Sequence, residues 1–277
     1  MTTVSGVTPV VLTYNEEPNI GRLLDDLSWA RTVVVVDSGS TDRTAEVARC
    51  FANVRWLVRP FDTHAAQWQF AIASADTDYA LALDADYRVP PDFVRELDGS
   101  FLPGGFTSGV AAFRYCIHGR PLRGSVYPPK VVVVRRDEVR ITQPGHSQVI
   151  DADGPQYRFT ARLNHDDRKP LERFVRSQLD YARLEAERVC QTATPRWQDR
   201  LRRTALMPFV AGPGAYLAAG GPLAGWAAVQ YACERTVFEC LLAMELLRRG
   251  MRGGRDVVHV DHVGHVGHVE KQKSSSI

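Results

Sequence analysis

Two carboxylates two residues apart, Asp84 and Asp86, directly follow the apolar run 79–83. Aspartates so placed at a strand end can hold a hard divalent cation beside a phosphate. The pair alone would serve equally as a polar strand end. It is not alone. Thr13-Tyr14-Asn15-Glu16-Glu17 follows the apolar run 7–12, and Asp37-Ser38-Gly39-Ser40-Thr41-Asp42 follows the β-branched run 32–36. Asn15 and Glu16 also suit a helix start, and Asp42 suits the first turn of a helix.

The elements that must position these clusters alternate strand and helix. Strands are expected at 7–12, 32–36, 54–58 and 79–83. The first helix carries Ile20, Leu23, Leu24 and Leu27 on one face, with Pro18 in its first turn. Ser40 or Thr41 is expected to cap the second, which runs to about Cys50, and a third covers about 65–75. Such alternation implies a parallel sheet covered on both faces, with ligands beyond the carboxyl ends of its strands. All three clusters should therefore meet at one edge. Further on the pattern changes to strands at 110–117, 131–135 and 157–163, with a Gly/Pro loop at 119–129. Pro170 then opens a charged helix with Leu171, Phe174, Val175, Leu179 and Ala182 along one stripe.

In this order and spacing, LTYNEEPNIGRLL, VVVVDSGSTDRTAEVA and LALDADYRVPPDFVREL together resemble the nucleotide-sugar half of family 2 glycosyltransferases. The nearest subgroup is similar to the lipopolysaccharide-core glucosyltransferases, and AAQWQFAI resembles a segment of its members. The likeness is firm over residues 5–100 and looser to about 190. It implies an α/β, GT-A, Rossmann-like fold with a mainly parallel central sheet and a helical C-terminal extension. It further implies inverting transfer of a sugar from a nucleotide sugar donor, UDP-linked, to a glycan or lipid-linked acceptor, with Mg²⁺ or Mn²⁺. Thr13, Asn15, Glu16 and Asp37 would surround the nucleoside, with Asp37 accepting from the base, and Gln67 would line the substrate. Asp84 would sit near ribose and metal, and Asp86 would bind the metal. His165 matches the late histidine that many enzymes of this fold use as a metal ligand, and imidazole suits Mn²⁺. Where the family supplies a carboxylate base, this chain reads Gly145-His146-Ser147-Gln148. His146, with a near-neutral intrinsic pKa, is the candidate base or acceptor contact. Asp166 and Asp167 suit the cap of the helix at Pro170. Arg168 and Lys169 suit either a phosphate or a solvated charge run.

Three regions follow from this: a glycosyltransferase domain over 1–190, an apolar, Arg-flanked helical extension over 191–253, and a flexible His/Val and Ser tail over 254–277. In the tail His259, His262, His265 and His268 recur every third residue, a pattern better read as noncatalytic. The 277 residues carry a net charge of only +2, which gives no case for nucleic-acid binding. Five cysteines without CxxC spacing read as reduced thiols of a cytoplasmic protein, as does the lack of a basic segment at the start. Residues 204–233 hold no charge, while 194–255 hold nine arginines and four acidic residues. Pro208, Gly212-Pro213-Gly214 and Gly220-Gly221-Pro222 should break that stretch into pieces too short to span a bilayer. Peripheral attachment at the inner membrane face is one reading. A hairpin packed on the domain, or in a homodimer interface, is the other. Two rivals compete for the function. The haloacid-dehalogenase-like hydrolases need their Asp-x-Asp at the first strand, not the fourth. A nucleotide-sugar-binding membrane partner that has lost its base, with Ser147 where a carboxylate is expected, would bind without catalysing.

Overall fold

The computed structural model describes residues 3–142 and 149–256. The first half is the expected alternation: β1 (Val7–Thr13), α1 (Glu17–Asp26), β2 (Val33–Asp37), α2 (Thr44–Arg49), β3 (Val54–Val58), α3 (His64–Ala73) and β4 (Tyr79–Asp84). These four strands are mutually parallel neighbours in the order β4-β1-β2-β3. Every residue from Val33 to Val36 is fully buried, and alternate valines face opposite layers. Val33 and Val35 pack with Ile20, Leu23, Leu24 and Leu27 of α1, whereas Val34 and Val36 pack with Trp68, Ala71 and Ile72 of α3. A sheet covered on both faces needs β-branched residues on both, which is why the run reads as continuous.

The chain continues through β5 (Tyr87–Arg88), α4 (Pro91–Glu96), β6 (Ser108–Ala111), β7 (Phe113–Ile117), β8 (Arg120–Pro121) and β9 (Lys130–Arg135). Then come β10 (Val139–Thr142), β11 (Val149–Ala152), β12 (Gln156–Arg158) and β13 (Leu163–His165). The main sheet has seven strands, β12-β6-β9-β4-β1-β2-β3, in which β9 alone runs against the rest. A four-stranded sheet, β5-β13-β7-β8, stands beside it. The expected strands 110–117 and 157–163 are each two strands, one in each sheet. The first changes sheet at Ala112. In the second, the carboxylate of Glu96 accepts from Thr160 N, Thr160 Oγ1 and Ala161 N at 2.7–2.9 Å, so this backbone bonds a side chain instead of a ladder.

The cap of α2 also differs from expectation. Ser40 donates to Asp37 and accepts from Asn15 N, so it is not available to the helix. Asp42 lies before the helix, not in its first turn, and its Oδ1 accepts from Thr44 N at 3.0 Å.

Four helices complete the described chain: α5 (Leu171–Gln191), α6 (Trp197–Arg203), α7 (Met207–Ala218) and α8 (Trp226–Asp256). The expected break at Gly212-Pro213-Gly214 does not occur, since α7 runs through it with Pro213 inside. Gly212 instead permits close packing, because a Cβ there would lie 2.3 Å from Thr236 of α8. The chain does turn at Gly220 and Gly221, both in the left-handed region. Ala215, Ala219, Ala227, Ala228 and Tyr231 pack on Ile117 and Leu122, seating α7 and α8 on the small sheet. Among the described residues no helix is long and apolar enough to cross a membrane. His146 and the tail histidines at 259, 262, 265 and 268 lie outside the described residues.

Candidate active site

The carboxyl ends of the parallel strands bring the predicted residues to one rim. In register, Thr13 stands beside Asp37, Asp37 beside Val58, and Leu12 beside Asp84. Asn15 adopts the left-handed conformation (φ 54°), one that Asn tolerates better than most residues. Its Oδ1 accepts from Thr41 N at 2.6 Å, tying the loop after β1 to the loop after β2. The Asp37 carboxylate accepts from Gly39 N at 3.0 Å, Ser40 N at 2.9 Å and the Ser40 hydroxyl. About one of its four acceptor positions is left for a ligand. Gln67 is buried and donates to Ser38 Oγ at 2.9 Å and Arg59 O at 3.0 Å, joining the loops after β2 and β3. Three predicted binding residues thus also build the rim that would bind.

Beneath the rim lies an acidic cluster. Glu16 and Asp86 are buried, and both face Lys169, whose Nζ lies 3.0 Å from Glu16 and 3.3 Å from Asp86. Asp167 completes a triangle around this ammonium at 3.1 Å. Burial, only partly offset by Lys169, pushes the Glu16 carboxyl up to about 7. Burial opposes the charge on Lys169, but Asp86, Glu16 and Asp167 together hold it well above its ordinary value. His165 stacks on Tyr115 at 4.8 Å and turns Nε2 toward Asp86, 3.6 Å away. Asp86 Oδ1, His165 Nδ1 and Thr13 Oγ1 are buried without a hydrogen-bond partner among the described residues. The Asp86 carboxylate, with one oxygen unpartnered and His165 Nε2 3.6 Å from the other, offers carboxylate and imidazole donors that fit Mg²⁺ or, better, Mn²⁺.

Asp84 stands nearer solvent, with Lys130 Nζ 3.8 Å away. That ammonium also donates to Tyr127 at 2.7 Å and Tyr87 at 3.1 Å, and a small cavity between Asp84, Lys130 and Trp68 opens beside it. A wider depression at Leu184, Glu187, Arg188 and Gln191 holds none of these groups.

Sequence reasoning missed three parts of this arrangement. Lys130 carries no local signal in its valine-rich strand. Asn19, fully buried, donates to both Glu16 and Asp167, and a lone Asn in a helix gives no hint of that. Lys169 reads as a phosphate contact or part of a solvated charged run, yet its side chain is 15% exposed and held among carboxylates. Asp166 does not cap α5. It pairs with Arg22 and Arg168 and accepts from Gly119 N.

Residues 9–140 match the family model Glycosyl transferase family 2. The chain is 31% identical over 132 residues to the lipopolysaccharide core biosynthesis glycosyltransferase LpsC of Rhizobium meliloti, covering 46% of this chain and 47% of that one. It is 33% identical over 116 residues to the succinoglycan biosynthesis protein ExoA of the same organism, covering 38% and 35%. The chain therefore spans about half or less of the curated relatives it matches. Among solved structures, S. aureus TarS with UDP-GlcNAc aligns at 14% identity and TM-score 0.45, over 88% of this chain and 92% of that one. Glucosyl-3-phosphoglycerate synthase from Mycobacterium tuberculosis, with Mn²⁺, UDP and phosphoglyceric acid, aligns at 18% and 0.45, over 69% and 80%. Over residues 9–140 this chain is similar to the family 2 glycosyltransferases, with a lipopolysaccharide-core biosynthesis enzyme among its relatives.

Proposed function

We propose that the chain binds a UDP-linked sugar at this rim and transfers the sugar, with inversion, to a hydroxyl of a glycan or glycolipid. One observation carries the reading: Thr13, Asp37, Asp84 and Asp86 converge at the carboxyl ends of adjacent parallel strands, over an Asp86 oxygen that has no partner among the described residues. The loops tied by Asn15, Asp37 and Gln67 would seat the nucleoside without rearranging. Asp86 and His165 would hold Mg²⁺ or Mn²⁺, which when bound neutralises the departing diphosphate. His146 is proposed to take the acceptor proton. Titration calorimetry of UDP with Mn²⁺ tests the site. Asp86→Ala should lose Mn²⁺-dependent UDP binding while unfolding as the parent does. Unchanged affinity in that variant would remove Asp86 from the site.

A second proposal concerns the uncharged stretch. One face of α7 and α8 packs on the domain, but Phe209, Leu217 and Leu223 are more than 70% exposed, and Leu206, Trp226 and Val229 about half exposed. This apolar surface supports peripheral contact with an anionic membrane at the cytoplasmic face, where a lipid-linked acceptor would be met. Vesicle binding tests it.

A further inference from the structure

Charge under the rim is balanced by a residue that donor binding, as proposed, does not use. Lys169 Nζ and His165 Nε2 both converge on Asp86 Oδ2, at 3.3 and 3.6 Å. Among the described residues, no three His, Cys, Asp or Glu side chains come together as metal ligands do. Where the carboxylates of Glu16, Asp86 and Asp167 converge, the ammonium itself stands. The backbone that carries it is pinned. Arg168 N donates to Asn19 Oδ1 and Lys169 N to Asp167 Oδ1, each at 3.0 Å, and Pro170 follows with its φ fixed by the ring. Only the four-carbon stem can move, and a lysine stem moves easily.

We propose that Lys169 is a tethered counter-cation that competes with the divalent cation for Asp86. The inference rests on the reading of Asp86 as a cation-binding residue. A divalent cation there would stand a few ångströms from a like charge in a poorly hydrated site, where repulsion is strong. The cation therefore binds weakly until a diphosphate arrives and gives the ammonium another anion. Lys169 makes cation loading conditional on the nucleotide.

The test is Mn²⁺ binding without nucleotide, followed by the electron paramagnetic resonance of free Mn²⁺ and by thermal melting. Lys169→Gln should bind Mn²⁺ at least about tenfold more tightly than the parent, and Mn²⁺ should raise its melting temperature more. Lys169→Arg, which keeps the charge, should stay as weak as the parent. If Lys169→Gln does not fold without metal, adding Asp167→Asn removes one charge of each sign. The double variant should still exceed Asp167→Asn alone. Equal or weaker Mn²⁺ binding on loss of the lysine charge, or no Mn²⁺ binding by any variant, overturns the proposal. Failure of the glycosyltransferase reading would register separately, as parent protein that binds Mn²⁺ but never UDP.

Discussion

Single side chains here do two tasks, and Glu96 shows the structural one in isolation. It accepts from Tyr157 OH at 2.9 Å as well as from Thr160 and Ala161, and so holds the chain where it leaves the main sheet for the small one. Burial works against its charge, but these hydrogen bonds win and hold its carboxyl below the ordinary 4.5. A folded-state value below the unfolded one contributes stability above the unfolded value, and that stability is lost as pH falls through the folded value. Glu96→Gln would set an amide N–H against either Ala161 N–H or the Tyr157 and Thr160 donors. It should cost about 1.5–3 kcal/mol at pH 7, the range for hydrogen bonds to a charged group. Urea unfolding at pH 7 and pH 3.5 checks this, since the gap between parent and variant should shrink in acid. A gap that does not change with pH would mean that Glu96 acts through shape alone.

At the scale of elements, the sharpest contrast is between strands and helices. β1 to β4 were legible because a doubly covered sheet demands apolar β-branched runs, and each run ends in a polar turn. Strand ends fix which residues share a rim, so Thr13, Asp37, Asp84 and Asp86 could be grouped from order alone. Lys169 could not, because its partner Asp86 is 83 residues away and nothing local marks the lysine as buried. The change of sheet at Ala112 was equally hidden, since both halves of the run have strand character. Helix α6 gives the same lesson. Its arginines suit lipid contact in one of the two sequence readings, yet Arg202 turns inward and bonds Glu239 at 2.7 Å on α8 and Glu185 at 2.8 Å on α5. Both carboxylates are at least 95% buried. Arg202→Ala would leave Glu239 with Arg235 at 3.8 Å, while Glu185 keeps Arg188 at 2.8 Å, and a buried pair broken on one side costs about 3–5 kcal/mol. Chemical denaturation should register that loss. A loss below about 1 kcal/mol would show that Arg188 and Arg235 suffice to neutralise the network.

At the scale of the whole molecule, the rim at the strand ends and the apolar face of α7 and α8 belong to one packed body. The Tyr231 hydroxyl of α8 accepts from Val126 N at 2.9 Å, and its ring packs on Tyr115, which stacks on His165. A surface that binds a bilayer through α7 would thus hold the rim at a fixed height above it. The attractive terms are unequal. Arg202 is consumed internally, which leaves Arg196, Arg200 and Arg203 exposed near Trp197, each worth about 1 kcal/mol on an anionic surface. Phe209, Leu217 and Leu223 would add the apolar term, which salt does not screen. Co-sedimentation should therefore show binding to anionic vesicles at low salt that weakens, but does not vanish, at high salt. Phe209→Ser with Leu217→Ser should weaken it under both conditions while leaving Mn²⁺-dependent UDP binding intact. Protein that stays in the supernatant with anionic vesicles at low salt, yet sediments as a dimer in the ultracentrifuge, would assign the same face to a second copy of the chain. In that case the double serine variant should be a monomer.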